Sequence, residues 1–182
     1  MSEQELIKYC CEKDKLAEGE LYTRYAARVF ALCKRYTKDA EEAWDLMQDS
    51  LLQAIAKIHT FKYNGDGSLY SWIKRIAINK AINLNTRHRW RMVPTDFRFN
   101  NSIPEPAPEE IDLIPQETLL KIISTLPELR RTVFNLFCID GYSHKEIGEM
   151  LGISEKGSAS ILAKARKQLK EKLNDYLNNL KR

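Results

Sequence analysis

The residues able to do chemistry in this sequence form three groups, and none is laid out for catalysis. The first is a run from Gly67 to Thr95 with no acidic residue, carrying Lys74, Arg75, Lys80, Arg87, Arg89 and Arg91. The second is the stretch from Lys156 to the end, where Lys and Arg again dominate. The third is a pair of acids four apart, Asp45 and Asp49, with Leu52 close by on the same predicted helix. Between the basic groups, Asn100 to Leu120 reverses sign: it holds Glu105, Glu109, Glu110, Asp112 and Glu117 and no basic residue. The net charge of +4 is modest, so its distribution carries the information. Basic blocks flanking an acidic one predict two polyanion-binding modules joined by a segment that is not one; solvated helix faces are the alternative.

Bond-making chemistry has no visible machinery. Cys10, Cys11, Cys33 and Cys138 show no Cys-x-x-Cys spacing, and His59, His88 and His144 stand far apart, so no structural zinc or other metal site is expected. No nucleotide-binding loop and no Ser/His/Asp or Cys/His arrangement is present, so neither an enzyme nor a cofactor is expected. Reduced thiols, no apolar run near ~18 residues and no signal-peptide pattern predict a cytoplasmic chain with no direct membrane insertion.

The elements that must position these groups are helices. Among 182 residues there are 7 Gly and 6 Pro, with abundant Leu, Ala, Lys and Glu, and no useful strand-like alternation, so the fold class is all-α. The first helix is predicted from Lys15 to Tyr36, with Leu21, Tyr25, Val29, Leu32 and Cys33 inward. The second runs from Asp39 to His59, with Trp44, Met47, Leu51, Ile55 and Ile58 as its apolar stripe. Asp45 and Asp49 lie roughly opposite that stripe. Tyr63-Asn-Gly-Asp-Gly-Ser68 is a loop whose Asn-Gly and Asp-Gly pairs favour positive φ, with Ser68 placed to cap the next helix. This third helix runs from Leu69 towards Trp90. It buries Leu69, Trp72, Ile73, Ile76 and Ala77, and carries a separate stripe of Arg75, Asn79, Ile82 and Thr86. A basic helix with aromatics beside a Gly-rich loop suits single-stranded DNA. Trp72 is assigned to packing, leaving Phe61 and Trp90 as the freer aromatics.

From Met92 the prolines Pro94, Pro104, Pro106, Pro108 and Pro115 sit among acids, which predicts a flexible linker. The expected organisation is a first domain at 1–91, a linker at 92–117 and a second helical domain at 118–182. In the second domain Pro127 opens a helix with Leu129, Val133, Phe134 and Phe137 on its core face, and Gly141 ends it. Ser143-His-Lys-Glu146 is a capping box for the next helix. Glu146-Ile-Gly-Glu-Met-Leu-Gly-Ile-Ser154 has helix-turn-helix form: Gly148 permits close approach, Gly152 the turn, and Ile153 plugs the gap. The last helix turns Leu162, Ala165, Leu169 and Leu173 inward. Its opposite face is then Lys156, Ala159, Ser160, Ala163, Lys164 and Lys167, with Ser160 and Lys164 able to reach bases or phosphates and Lys156 and Lys167 assigned to phosphates.

Several motifs occur in the order and spacing of a known family. Leu21-Tyr-Thr-Arg-Tyr25, Asp45-Leu-Met-Gln-Asp49, Phe61…Gly67-Ser-Leu-Tyr-Ser-Trp72 and Arg75-Ile-Ala-Ile-Asn79 resemble region 2 of extracytoplasmic-function sigma factors, in the sigma-70 family. Leu126-Pro-Glu128…Arg131-Thr-Val-Phe134, Gly141-Tyr-Ser-His-Lys-Glu-Ile147, Leu151-Gly-Ile-Ser154 and Lys164-Ala-Arg166 resemble region 4. The resemblance implies a three- or four-helix bundle and a helix-turn-helix domain. It implies core RNA polymerase and promoter DNA as partners, an anti-sigma factor as a further partner, and no catalytic chemistry.

Site residues are implied by the same resemblance. Asp45, Gln48 and Asp49, with Leu52, match the face that docks on the polymerase. Lys62, Asn64, Gly65, Asp66, Gly67 and Ser68, with Arg75 and Asn79, match the reader of the −10 element, where one base is flipped into a protein pocket. Ala159, Ser160, Ala163 and Lys164 match contact positions of the −35 reader. The chain departs from the family pattern at Lys156-Gly-Ser-Ala159, where Ala159 cannot donate a hydrogen bond, and at Asn83, where the family often has an acid. The competing reading is a two-domain helix-turn-helix regulator that does not bind core polymerase.

Overall fold

The computed structural model describes residues 1–86 and 114–180. Every regular element among them is helical, and the chain divides into two units, Met1–Arg87 and His88–Arg182.

The first unit holds four helices: α1 (Glu3–Cys11), α2 (Lys15–Cys33), α3 (Ala40–Lys57, extended by a 3-10 turn at Ile58–Thr60) and α4 (Ser68–Thr86). Side chains near in sequence fix three of the starts. Ser2 and Glu5 form a capping box on α1, Asp14 accepts from the amides of Leu16 and Ala17, and Asp39 accepts from that of Glu42. Leu6 of α1, Leu21 and Val29 of α2, Met47 and Leu51 of α3, and Leu69, Ile73 and Ile78 of α4 are fully enclosed. Removing such side chains from water is the main stabilising term for a bundle this small.

Four expectations for this unit change. Helix α1 precedes the first helix predicted from periodicity. On α3, Trp44 is 49 % exposed, because the buried face centres on Ala43, Met47, Ser50, Leu51 and Ala54. One residue from Ala43 is a turn of about 100°, which leaves the Trp44 ring at the rim, edge-on to Phe30 at 5.9 Å. On α4, Ile82 is buried rather than continuing the stripe of Arg75 and Asn79, because it falls beside the buried Ile78 and Ala81. Phe61 is half-buried against Trp72, ring centroids 5.2 Å apart, so it is not a free aromatic. Trp90 lies outside the described residues, as does the 92–113 part of the linker.

The second unit contains α5 (Gln116–Ser124), α6 (Glu128–Phe134, continued by a π turn at Asn135–Ile139), α7 (His144–Leu151) and α8 (Glu155–Leu180). Helix α5 begins within the stretch assigned to the linker, and Ile114 ahead of it is buried. Pro115 does not oppose this start, since a proline at a helix N-terminus sacrifices no intrahelical bond. Leu126, Ala165 and Leu169 pack with Ile122, Ile123 and Phe134. Phe137 is only half-buried and stacks on His144 at 4.3 Å, and Leu129 and Leu173 are likewise half-buried.

Candidate nucleic-acid interface

In the first unit the loop ahead of α4 turns on Gly65 (φ 94°) and Gly67 (φ 84°), a backbone region that L side chains rarely adopt. The turn leaves Lys62, Asn64 and Asp66 exposed. Asp66 accepts from the Tyr63 hydroxyl at 2.8 Å, and that bond raises the Tyr63 phenol above its ordinary value. Ser68 is not the cap of α4. Its hydroxyl accepts from the Asn64 amide at 3.3 Å, while Glu3 of α1 accepts from the Gly67 and Leu69 amides at 3.2 and 3.0 Å. Local pattern could not show this, because the capping carboxylate lies 64 and 66 residues away. The sequence signal that would have placed Glu3 in a helix was the Ser2-x-x-Glu5 box.

Arg75 and Asn79 both stand exposed on α4, one turn apart. A charged fork and an amide offering both donor and acceptor therefore face solvent on the helix that the glycine loop leads into. Arg28 of α2 lies over the Tyr70 ring at 3.7 Å, and Tyr70 stacks on buried Tyr25 at 6.2 Å, which stiffens the first turn of α4 from below.

The face of α3 opposite the core carries Asp45, Leu52 (59 % exposed) and half-buried Gln48, with Trp44 at its edge. Asp49 is exposed too, but it meets Lys80 of α4 at 3.3 Å. That pair is solvated on the Asp49 side, so it contributes little to stability. Trp44 was missed as a surface residue because an aromatic at helical spacing reads as core.

In the second unit the helix-turn-helix is built as its motif requires. Ser143 and Glu146 form the capping box of α7, Gly152 adopts φ 68°, and Ser154 accepts from the Gly157 amide at 2.9 Å. A Cβ on Gly148 would lie 2.8 Å from the Ile153 carbonyl oxygen, so only glycine fits without a shift. On α8, Lys156 and Lys167 are exposed, and Ala159, Ala163 and Lys164 are half-buried. Ser160 is a correction: it is 2 % exposed, and its Oγ makes no hydrogen bond. Periodicity gives angles about a helix's own axis but not what lies across each face, and a one-atom side chain is easily covered. Arg166, quoted in the region 4 motif but given no site role there, is exposed, with its guanidinium 3.7 Å from Cys138 Sγ.

Among the described residues no group of His, Cys, Asp and Glu could hold a metal ion, and no helix is long and apolar enough to cross a membrane.

The sequence matches known families over most of the chain. Sigma-70 region 2 matches residues 21–91, and Sigma-70 region 4 matches residues 116–169. The chain is 27 % identical over 164 residues to the ECF RNA polymerase sigma factor SigM of Bacillus subtilis, covering 88 % of this chain and 97 % of that one. The chain belongs to the extracytoplasmic-function sigma factors of the sigma-70 family. The RNA polymerase sigma-H factor of Pseudomonas aeruginosa is 26 % identical, covering 96 % of this chain and 95 % of its own. Among solved structures, CnrH in complex with the cytosolic domain of CnrY has the same fold, with a TM-score of 0.51, 20 % identity and coverage of 93 % and 96 %. RpoE of Bartonella quintana, in complex with the anti-sigma factor NepR, has a TM-score of 0.53, 20 % identity and coverage of 88 % and 96 %. As a sigma factor of this type the chain acts in transcription initiation with RNA polymerase and promoter DNA. The reading as a regulator independent of core polymerase is not favoured.

Proposed function

We propose that this sigma factor divides initiation among three surfaces. The α3 face of Asp45, Gln48, Asp49 and Leu52 docks on core polymerase, with exposed Trp44 extending its apolar part. An apolar centre ringed by acids suits a partner that buries the one and pairs the other. The loop Lys62–Ser68 with Arg75 and Asn79 reads the −10 strand. Lys156, Lys164 and Lys167 on α8 hold the −35 duplex, mainly through phosphates, since Ala159 and Ala163 offer only apolar contacts to bases.

The observation that carries this reading is the exposure of Arg75 and Asn79 together on α4, the helix that follows a glycine loop whose Lys62, Asn64 and Asp66 are also exposed. On closed duplex these groups would meet a stacked, paired base, so they act after the strands part. Each unit reaches only a few base pairs, so specific binding by the free chain is weak until polymerase sets the spacing of the two units. Phosphodiester chemistry belongs to the polymerase, and the chain works in the cytoplasm without catalytic groups of its own. An anti-sigma factor is a further partner, a reading supported by the named complexes of CnrH and of the Bartonella RpoE.

Run-off transcription with purified core polymerase on a genomic promoter library tests the proposal. Transcripts that start only when the chain is present, sharing paired upstream elements at a fixed spacing, support it. Tight promoter-specific footprints by the free chain, with no dependence on core enzyme, would overturn it.

A further inference from the structure

The first turn of α4 presents amide groups with no partner inside the helix, and such groups favour an anion. Here the chain supplies one from α1. Glu3 Oε1 accepts from the Leu69 amide at 3.0 Å, and Oε2 accepts from the Gly67 amide at 3.2 Å. The Tyr25 hydroxyl donates to Oε2 at 3.1 Å, and the Ser68 hydroxyl lies 3.5 Å from Oε1. One carboxylate thus joins α2, the glycine loop and the start of α4.

The geometry makes this a held contact. Leu6 and Cys10 bury α1 in the bundle, and Arg24 of α2 donates to the Met1 carbonyl at 2.7 Å. Tyr25 is itself buried, and burial with the neighbouring carboxylate pushes its phenol up to about 12, so it remains a donor. The loop's bonds from Tyr63 to Asp66 and from Asn64 to Ser68, and those from the Ser71 amide and hydroxyl to the Gly67 carbonyl, all span three or four residues. Glu3 adds a tie to a helix distant in sequence. It lies outside the matched region 2, which begins at Leu21.

We propose that Glu3 is a positioning residue for promoter reading, its carboxylate holding the Gly67 and Leu69 amides so that the loop and the first turn of α4 stay in the geometry that captures the −10 strand. This rests on the assignment of that loop and of Arg75 and Asn79 as the −10 reader. The carboxylate also fills the anion position at the α4 N-terminus. A phosphate of the captured strand is therefore left to Lys62 and Arg75.

The test uses the full chain with core polymerase and compares Glu3→Gln with Asn79→Ala. Glutamine keeps the shape but turns an N–H group towards one of the two amides. In the free chain, Glu3→Gln should speed hydrogen exchange at Gly67 and Leu69 by about ten- to hundredfold while the α3 core amides stay protected. In the holoenzyme it should weaken capture of a single-stranded −10 oligonucleotide and slow open-complex formation by about tenfold or more, with affinity for core polymerase unchanged. Glu3→Asp keeps the charge on a shorter arm and should recover part of the loss. All variants are compared at a temperature where circular dichroism shows each fully folded. A defect that vanishes on cooling, or faster exchange across the whole bundle, would mark Glu3 as merely structural. Normal opening by Glu3→Gln beside impaired Asn79→Ala overturns the role of Glu3 alone. Normal opening by both overturns the −10 assignment and the role of Glu3 with it.

Discussion

Gly19→Ala and Gly148→Ala make the same change in two helices and should shift stability in opposite directions. Alanine gains about 1 kcal/mol over glycine in a helix interior. At Gly19, on α2, an added Cβ meets nothing within 4 Å, so the gain is kept. At Gly148 the same Cβ lies 2.8 Å from the Ile153 carbonyl oxygen, where ordinary contact is 3.4–4 Å, and the Glu155 amide and Ser154 carbonyl carbon lie at 3.5 and 3.6 Å. These are backbone atoms, and the Ile153 amide also donates to the Gly148 carbonyl at 3.0 Å. Relief must therefore separate α7 from the turn that leads into α8. Overpacking of this kind costs about 1–3 kcal/mol, and a rigid backbone neighbour places it in the upper half of that range. After subtracting the propensity gain, Gly148→Ala should destabilise the second unit by about 1–2 kcal/mol. Urea titration followed by hydrogen exchange, with peptides assigned to each unit, measures both effects in one experiment. Gly148→Ala should also weaken −35 binding by the holoenzyme without changing core affinity. A second unit at least as stable as the parent's would refute the argument that close approach, rather than helix propensity, requires this glycine.

The same surfaces carry further expected outcomes. Asp45→Lys should weaken core-polymerase binding by about 1–3 kcal/mol with the melting temperature unchanged; it is a cleaner probe than Asp49→Lys, which would also face Lys80. Arg75→Ala and Asn79→Ala should retain core and −35 binding yet form few open complexes by permanganate footprinting. A template already unpaired at −10 should restore much of the Arg75→Ala activity but not that of Asn79→Ala. Ser160→Ala removes a buried hydroxyl without a partner, so it should leave −35 affinity intact and raise stability by up to about 1 kcal/mol, whereas Lys167→Ala should weaken binding and flatten its salt dependence; lost affinity in Ser160→Ala would return that residue to the interface. Iodoacetamide at neutral pH should label exposed Cys11 and Cys138 and spare Cys10 and Cys33. Burial pushes the Cys33 thiol up from 9.0 to about 12. Its folded value exceeds its unfolded one, so its share of stability is complete below pH 9 and is lost as pH climbs towards 12, which the urea midpoint should track.

Much of this protein is local in origin and was therefore legible in the sequence. Capping side chains act within four residues, so Asp39, Ser143 with Glu146, and Ser154 announced their helices. Gly65, Gly67 and Gly152 marked the turns because positive φ is a property of one residue. Helical spacing at steps of three and four separated Leu52, Arg75 and Asn79 from the core, and motif order pointed to the family. What only the tertiary structure decided involves groups distant in sequence or faces set by a neighbouring helix. Glu3 caps α4 across more than sixty residues, Lys80 reaches Asp49 from another helix, Trp44 turns to the rim, and Ile82 and Ser160 turn out buried. Periodicity orders residues around one axis. Which of them meets water depends on what other elements lay against that axis, and that is decided only when the helices pack.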